Sequence, residues 1–251
     1  MKILPFLFLV ATSVSGLALG DRELDSIGRR VWQNECAGTR DGLTSWNAGE
    51  NFASLGIGHF IWYPKSARGP FEESFPKLVR FLAARGAQVP GWLEGPCPWT
   101  SRAEFQAAFQ GEKMRALREL LAGTVALQAQ FLAQRMEEAL DKMLAEAPAA
   151  ERAKVRAQFA RLAASGAGTF ALIDYVNFKG EGTKASERYR GEGWGLRQVL
   201  AGMRDSGAGA AREFGESAAA VLSRRVRNAP PERHEERWLA GWNSRVRAYG
   251  E

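Results

Sequence analysis

The chain carries only two histidines and two cysteines in 251 residues, and this scarcity removes several chemistries. A structural zinc site needs four Cys or His ligands, usually at short paired spacings, whereas His59, His234, Cys36 and Cys97 form no such pair. His234-Glu235-Glu236 lacks the second histidine of a zinc-protease helix. No metal or other cofactor is therefore expected. Cys36 and Cys97 allow one disulfide, which would stabilise by about 2–4 kcal/mol, or two buried free thiols. Past the N-terminus no apolar run reaches the roughly 20 residues of a membrane span, so no later segment is expected to insert. Lys and Arg number 34 against 28 Asp and Glu, giving a net charge of +6 and a pI near 9.6. The basic residues are scattered, as in Arg152, Lys154, Arg156 and Arg161. That pattern reads as a solvated face, not a nucleic-acid stripe. A basic protein without such a stripe suits an anionic surface such as an acidic cell wall.

What is present begins at the N-terminus. Lys2 precedes an apolar run from Ile3 to Val14, broken only by Pro5, Thr12 and Ser13. Ala18-Leu19-Gly20 then puts small residues where a signal peptidase reads. Residues 1–20 are expected to be a secretory signal cleaved before Asp21, with a retained N-terminal anchor as the alternative. No cysteine follows the site, so a lipoprotein is not expected. Residues 21–251 are expected to form one domain, secreted or periplasmic. Loss of Lys2 takes the net charge from +6 to +5.

From Asp21 onward, Leu24, Ile27, Val31 and Trp32 recur at helical spacing, and Gly38 and Gly42 end that helix. Residues 39–63 are rich in Gly, Asn, Thr and aromatics and read as a small β-hairpin turning at Asn47-Ala48-Gly49-Glu50. Helical patterns then dominate. One stripe holds Phe75, Leu78, Val79 and Leu82, and a loop spans Gly86 to Pro98. Ser101 and Glu104 have the spacing of a capping box. Ala116 to Leu144 is rich in strong helix formers and predicts one long helix. Another covers about 149–164. Thr169 to Phe178 is apolar nearly all round, as in a central buried helix. A Gly- and charge-rich loop from Lys179 to Gly195 precedes helical segments at Leu196–Met203, 209–227 and 231–248. The fold class is mainly α, with one small β-hairpin after the first helix.

Glu35 continues the angular stripe of Leu24 and Val31, at a position where an apolar residue is expected. It also falls in the last turn, where the helix dipole is negative. Burial and dipole both disfavour a charged carboxylate, which is the condition a general acid needs. The alternative is a helix-end Glu frayed into solvent.

The segment that follows, Ser54-Leu55-Gly56-Ile57-Gly58-His59-Phe60, resembles a stretch of the phage-type lysozymes. There a Glu ending the first helix precedes a hairpin whose second strand carries Thr-Ile-Gly-[Ile/Tyr]-Gly-His. The resemblance covers roughly residues 24–62 and implies an α+β lysozyme-like fold. It would place the acid on Glu35, the threonine on Ser54, and the Gly-x-Gly-His on Gly56, Gly58 and His59. Glu35 lies 19 residues before Ser54, and the family's second acidic position falls on Ala48. Glu50 is the nearest carboxylate and Asp41 the next. What the resemblance implies is cleavage of the β-1,4-linked glycan of peptidoglycan, with Glu35, Glu50 and Ser54 catalytic. Two alternatives stand beside it. Lytic transglycosylases share the architecture and use a single Glu with an Asn-bearing central helix, for which Asp174-Tyr175-Val176-Asn177-Phe178 is the counterpart here. A non-catalytic wall-binding protein would keep the shape alone.

His59, Asn177 and three tryptophans complete the expected substrate-binding set. His59 is either catalytic or a hydrogen-bonded structural residue. Asp174 and Asn177 either face the acid or tie down the adjoining loop. Trp46, Trp62 and Trp194 are expected near the cleft, since flat rings stack on sugar faces. Trp32, Trp238 and Trp242, at helical spacing, are expected in the core.

Overall fold

The computed structural model describes residues 19–69 and 71–251. The expected signal segment falls almost wholly outside them. The chain is mainly helical. Helix α1 (Asp21–Cys36) leads to a short antiparallel sheet of β1 (Thr44–Ser45), β2 (Ala53–Leu55) and β3 (Phe60–Trp62), in the order β1-β2-β3. Among the described residues nine α-helices follow: α2 (Phe75–Ala84), α3 (Arg102–Ala107), α4 (Glu112–Gly123), α5 (Val125–Glu146), α6 (Ala149–Ala163), α7 (Gly166–Lys179), α8 (Leu196–Gly202), α9 (Ala210–Asn228) and α10 (Glu236–Arg247). No described helix is long and apolar enough to cross a membrane.

Helix α1 buries Leu24, Ile27 and Val31 against α5 and α7, as the spacing predicts. Each such side chain contributes roughly 1.5–3 kcal/mol through removal from water. Ala37, with φ 52°, and Gly38, with φ 66°, turn the chain away after Cys36. Helix α7 is the hub: it packs on α1, α5, α6, α8 and α9. Its run from Gly168 to Tyr175 is buried throughout, which explains why no polar face shows in the sequence.

Several expectations need correction. The hairpin is a three-stranded sheet, because Thr44 and Ser45 pair with Leu55 and Ser54 on the free edge of β2. The turn at Asn47–Glu50 is there, with Gly49 at φ 85°. The loop after α7 contains a second small hairpin, β4 (Arg188–Tyr189) with β5 (Glu192–Gly193). The long helix expected over Ala116–Leu144 breaks at Thr124, where φ is −122°. Around that break the side chains of Thr124 and Gln128 compete for helical carbonyls. Thr124 Oγ1 donates to Leu120 O at 2.7 Å, and Gln128 Nε2 to Leu121 O at 2.6 Å. Ser101 accepts from Glu104 N at 3.3 Å and caps α3 as its spacing indicated.

Of the two cysteine readings, the structure has two free, buried thiols. Burial, with the Glu35 carboxylate adding, pushes the Cys36 thiol up to about 12. Burial likewise pushes Cys97 up to about 11, and its sulfur donates to Trp99 O at 3.4 Å. Thiolate is the reactive form, so the native protein at pH 7.5 should release almost no colour with a disulfide reagent. Unfolding in guanidinium should then release both thiols. Rapid labelling of the native chain would show that one of them is solvent-facing.

Candidate active site

The glycines of Gly56-Ile57-Gly58-His59 have separate physical reasons. Gly56 has φ 70°, and a Cβ there would lie 2.5 Å from Gln128 Oε1. A Cβ on Gly58 would meet the Phe60 ring at 2.8 Å and Leu132 at 3.0 Å. The break between α4 and α5 matters here. It sets fully buried Gln128 beneath this turn, where its Oε1 accepts from Ile57 N at 3.0 Å. His59 follows at φ 47°, a left-handed conformation that costs a non-glycine residue of order 1–3 kcal/mol. Gly56→Ala should lower stability by about 1–3 kcal/mol through strain and the displaced Gln128. A chemical-denaturation midpoint equal to wild type would show the turn to be loosely held.

The turn delivers His59 to the end of α1. His59 Nδ1 lies 3.5 Å from Glu35 Oε2, and His59 Nε2 lies 3.8 Å from Cys36 Sγ. On the other side Glu35 Oε1 accepts from Arg245 Nη2, carried by α10. Arg245 is held by Asp174 of α7 through two bonds, Nη2 to Oδ1 at 2.8 Å and Nε to Oδ2 at 2.9 Å. Asp174, fully buried, also accepts from Asn34 Nδ2 at 3.0 Å and Tyr249 Oη at 2.6 Å. Burial works against the Arg245 charge, but the hydrogen bonds and field of Asp174 and Glu35 outweigh it and hold the guanidinium more firmly protonated than usual. Burial, followed by the Asp174 carboxylate, keeps the Tyr249 phenol protonated.

Glu35, with its side chain 13% exposed, opens onto a cleft of about 930 Å³. His59, Ile61, Phe71, Asn177, Phe178 and Lys179 share its walls. Of the other described carboxylates in the cleft, Glu138 is exposed and the rest are engaged. Glu72 binds Lys77, which holds it below the usual carboxylate range, and lies 3.5 Å from Arg135. Glu181 pairs with Lys142 at 3.7 Å, and Glu187 accepts from Gly182 N at 2.7 Å.

The sequence-predicted residues divide. Glu35, His59 and Asn177 meet in the cleft. Ser54 is buried and pairs with Ile61 in register, so it shares the sheet face that lines the cleft without forming part of its wall. Glu50 does not line the cleft: it stays on the hairpin turn, where Asn47 Nδ2 donates to it at 3.1 Å. Asp41, 66% exposed, turns to Arg118 at 3.3 Å. The three tryptophans expected as sugar platforms are buried instead. Trp46 packs edge-on to Phe105, Trp62 sits among Phe75, Trp92 and Trp99, and Trp194 packs against Tyr189 under the Arg225 guanidinium. With 2–6% of their surface exposed, their faces are taken by protein. The reverse correction applies to Trp238, expected in the core and 52% exposed. Trp32 and Trp242 are half-buried. The aromatic wall of the cleft comes from Phe71 and Phe178.

Asp174 and Asn177 also resolve. Asp174 anchors Arg245 and not the adjoining loop, while Asn177 faces the cleft. The dry corner expected around Glu35 is occupied by a cation, Arg245, which the sequence reading missed. Its one signal was weak: Arg245 and Tyr249 are four apart at the end of the chain's last helical run, and both reach Asp174.

No family model, curated protein or solved structure matches this chain.

Together the described groups supply a carboxyl facing open space, a histidine and a fixed guanidinium on its two oxygens, and an amide in the cleft wall. Such a set can donate and recover a proton beside a bound polar ligand.

Proposed function

We propose that the protein is an exported, lysozyme-like enzyme that cleaves the β-1,4-linked glycan of peptidoglycan, with Glu35 as the acid. One observation carries this reading: the Glu35 carboxyl stands in the wall of a sugar-sized cleft, bracketed by His59 and Arg245. Glu35 gives its proton to the glycosidic oxygen as the C–O bond breaks, and positive charge develops on the sugar. A water or a hydroxyl of the same sugar then attacks, and Glu35 takes back a proton. Asp174 matters because it binds Arg245 through two bonds of its own. The guanidinium therefore keeps a carboxylate partner when Glu35 is uncharged, and the site does not collapse in the acid form.

A second reading, the lytic transglycosylase, is favoured by a specific placement. Glu50 and Asp41 lie outside the cleft, and its remaining described carboxylates are mostly committed to cations or backbone N–H groups. Chemistry with one acid and the sugar's own nucleophile fits that arrangement. The basic charge supports an acidic wall as the target in either case.

The test is digestion of purified peptidoglycan by wild type and Glu35→Gln, with products read by mass spectrometry. Reducing ends mean hydrolysis and anhydro ends mean transglycosylation. An absence of products from wild type, with retained binding, would make the protein a wall binder.

A further inference from the structure

Lys179 ends α7 and lines the same cleft, yet among the described residues no acidic side chain lies within ion-pair distance of it. Its Nζ sits over two aromatic faces instead, 3.5 Å from the Trp242 centroid and 3.9 Å from that of Phe178. The charges around it are already spoken for. Glu235 accepts both donors of Arg225, at 2.7 and 2.8 Å, and the Tyr189 hydroxyl at 2.8 Å. Arg245 is bound to Asp174 and Glu35. From the loop after α7, Glu181 turns to Lys142, Glu187 accepts backbone N–H groups, and Lys184 is exposed. Burial first, and the neighbouring Arg225 second, push the Lys179 ammonium down to about 7 against the pull of Glu235. A cation is thus held half out of water at a cleft wall without an acceptor, although an ammonium offers three donors.

The position of this cation relative to Glu35 is fixed by one ring. The Arg245 guanidinium lies 4.3 Å from the Phe178 centroid, so Lys179 and the arginine that grips Glu35 share contact with the same side chain.

We propose that Lys179 is a carboxylate-binding residue of the cleft, receiving the single acidic group of a saccharide unit that neighbours the bond held at Glu35. The proposal rests on the glycan-cleaving reading. A carboxylate is preferred to a phosphate dianion because, of the described cations that contact the Trp242 or Phe178 ring, Arg225 and Arg245 are already neutralised and Lys179 is not. The aromatic faces of Trp242 and Phe178 exclude water beside the ammonium, which strengthens a charge-assisted bond to an incoming anion.

Calorimetry on the full chain tests this. The Glu35→Gln background prevents turnover, and the probes are two tetrasaccharides. One is a neutral N-acetylglucosamine oligomer, and the other alternates N-acetylglucosamine with N-acetylmuramic acid, its lactyl-carboxylate counterpart. At pH 6 the acidic probe should bind about tenfold more tightly, as expected for one charge-assisted hydrogen bond. Lys179→Gln should erase the preference while keeping affinity for the neutral probe. The charge-matched control Lys154→Gln, exposed on α6, should leave the preference intact. At pH 8 the enthalpy for the acidic probe should depend on the buffer, because binding draws a proton onto Lys179. A structural lysine would give no such uptake. Equal affinity for the two probes, or a preference surviving Lys179→Gln, would overturn the proposal while leaving the glycan reading in place. Binding of neither probe would overturn the glycan reading and this inference with it.

Discussion

Glu35→Gln should abolish glycan cleavage, lowering turnover by about 10²–10⁴-fold, the usual contribution of a positioned general acid. Glutamine is the informative replacement because it removes the titratable carboxyl and keeps the size and shape of the side chain. Its amide carbonyl can still accept from Arg245, and its size matches the existing gap between His59 and the guanidinium. The thermal midpoint should therefore shift little, and binding of the saccharide should persist. The measurement is turnover of soluble glycan fragments beside a calorimetric affinity on the same preparations. Turnover equal to wild type would remove Glu35 from the chemistry and leave the cleft as a binding site.

The largest effect on stability should come from Asp174→Ala. The wild-type carboxylate is fully buried and accepts from Asn34, twice from Arg245, and from Tyr249. Removing it leaves the guanidinium, which is 20% exposed, with Glu35 as its one carboxylate, and takes the acceptor from a buried phenol. Breaking a buried ion pair by deleting one side costs about 3–5 kcal/mol. For a chain of this size each kcal/mol moves the midpoint roughly 2–4 °C, so the melt should fall steeply. Asp174→Asn, which keeps acceptor and shape, should cost less, and the difference reports the charge. A melt within about 2 °C of wild type for Asp174→Ala, less than 1 kcal/mol on that scale, would mean that water takes over the role.

The sequence carried the helical frame well because its signals were local. Leu24, Ile27 and Val31 set one face of α1, and the all-apolar run of α7 could only be a hub. Glu35 stood out for the same reason, as a polar residue on an apolar stripe. The break at Thr124 was not legible, since the surrounding residues are strong helix formers and the deciding bonds come from two side chains and the turn above them. The tryptophans misled because an aromatic ring fits a core as well as a sugar. Only packing partners such as Phe75 and Trp99 decide which. Arg245 and Lys179 were hidden among many basic residues, and their surroundings come from helices far apart in the chain.

That distance has a consequence for biogenesis. Glu35 and the arginine that grips it are separated by 210 positions, on the first and the last of the described helices. A nascent chain lengthening on a ribosome, or threading through a translocation pore, exposes its acid long before the clasp exists. The centre can lock only once residue 245 has been released, so on the glycan-cleaving reading proposed above the acid would stay without its clasp until then.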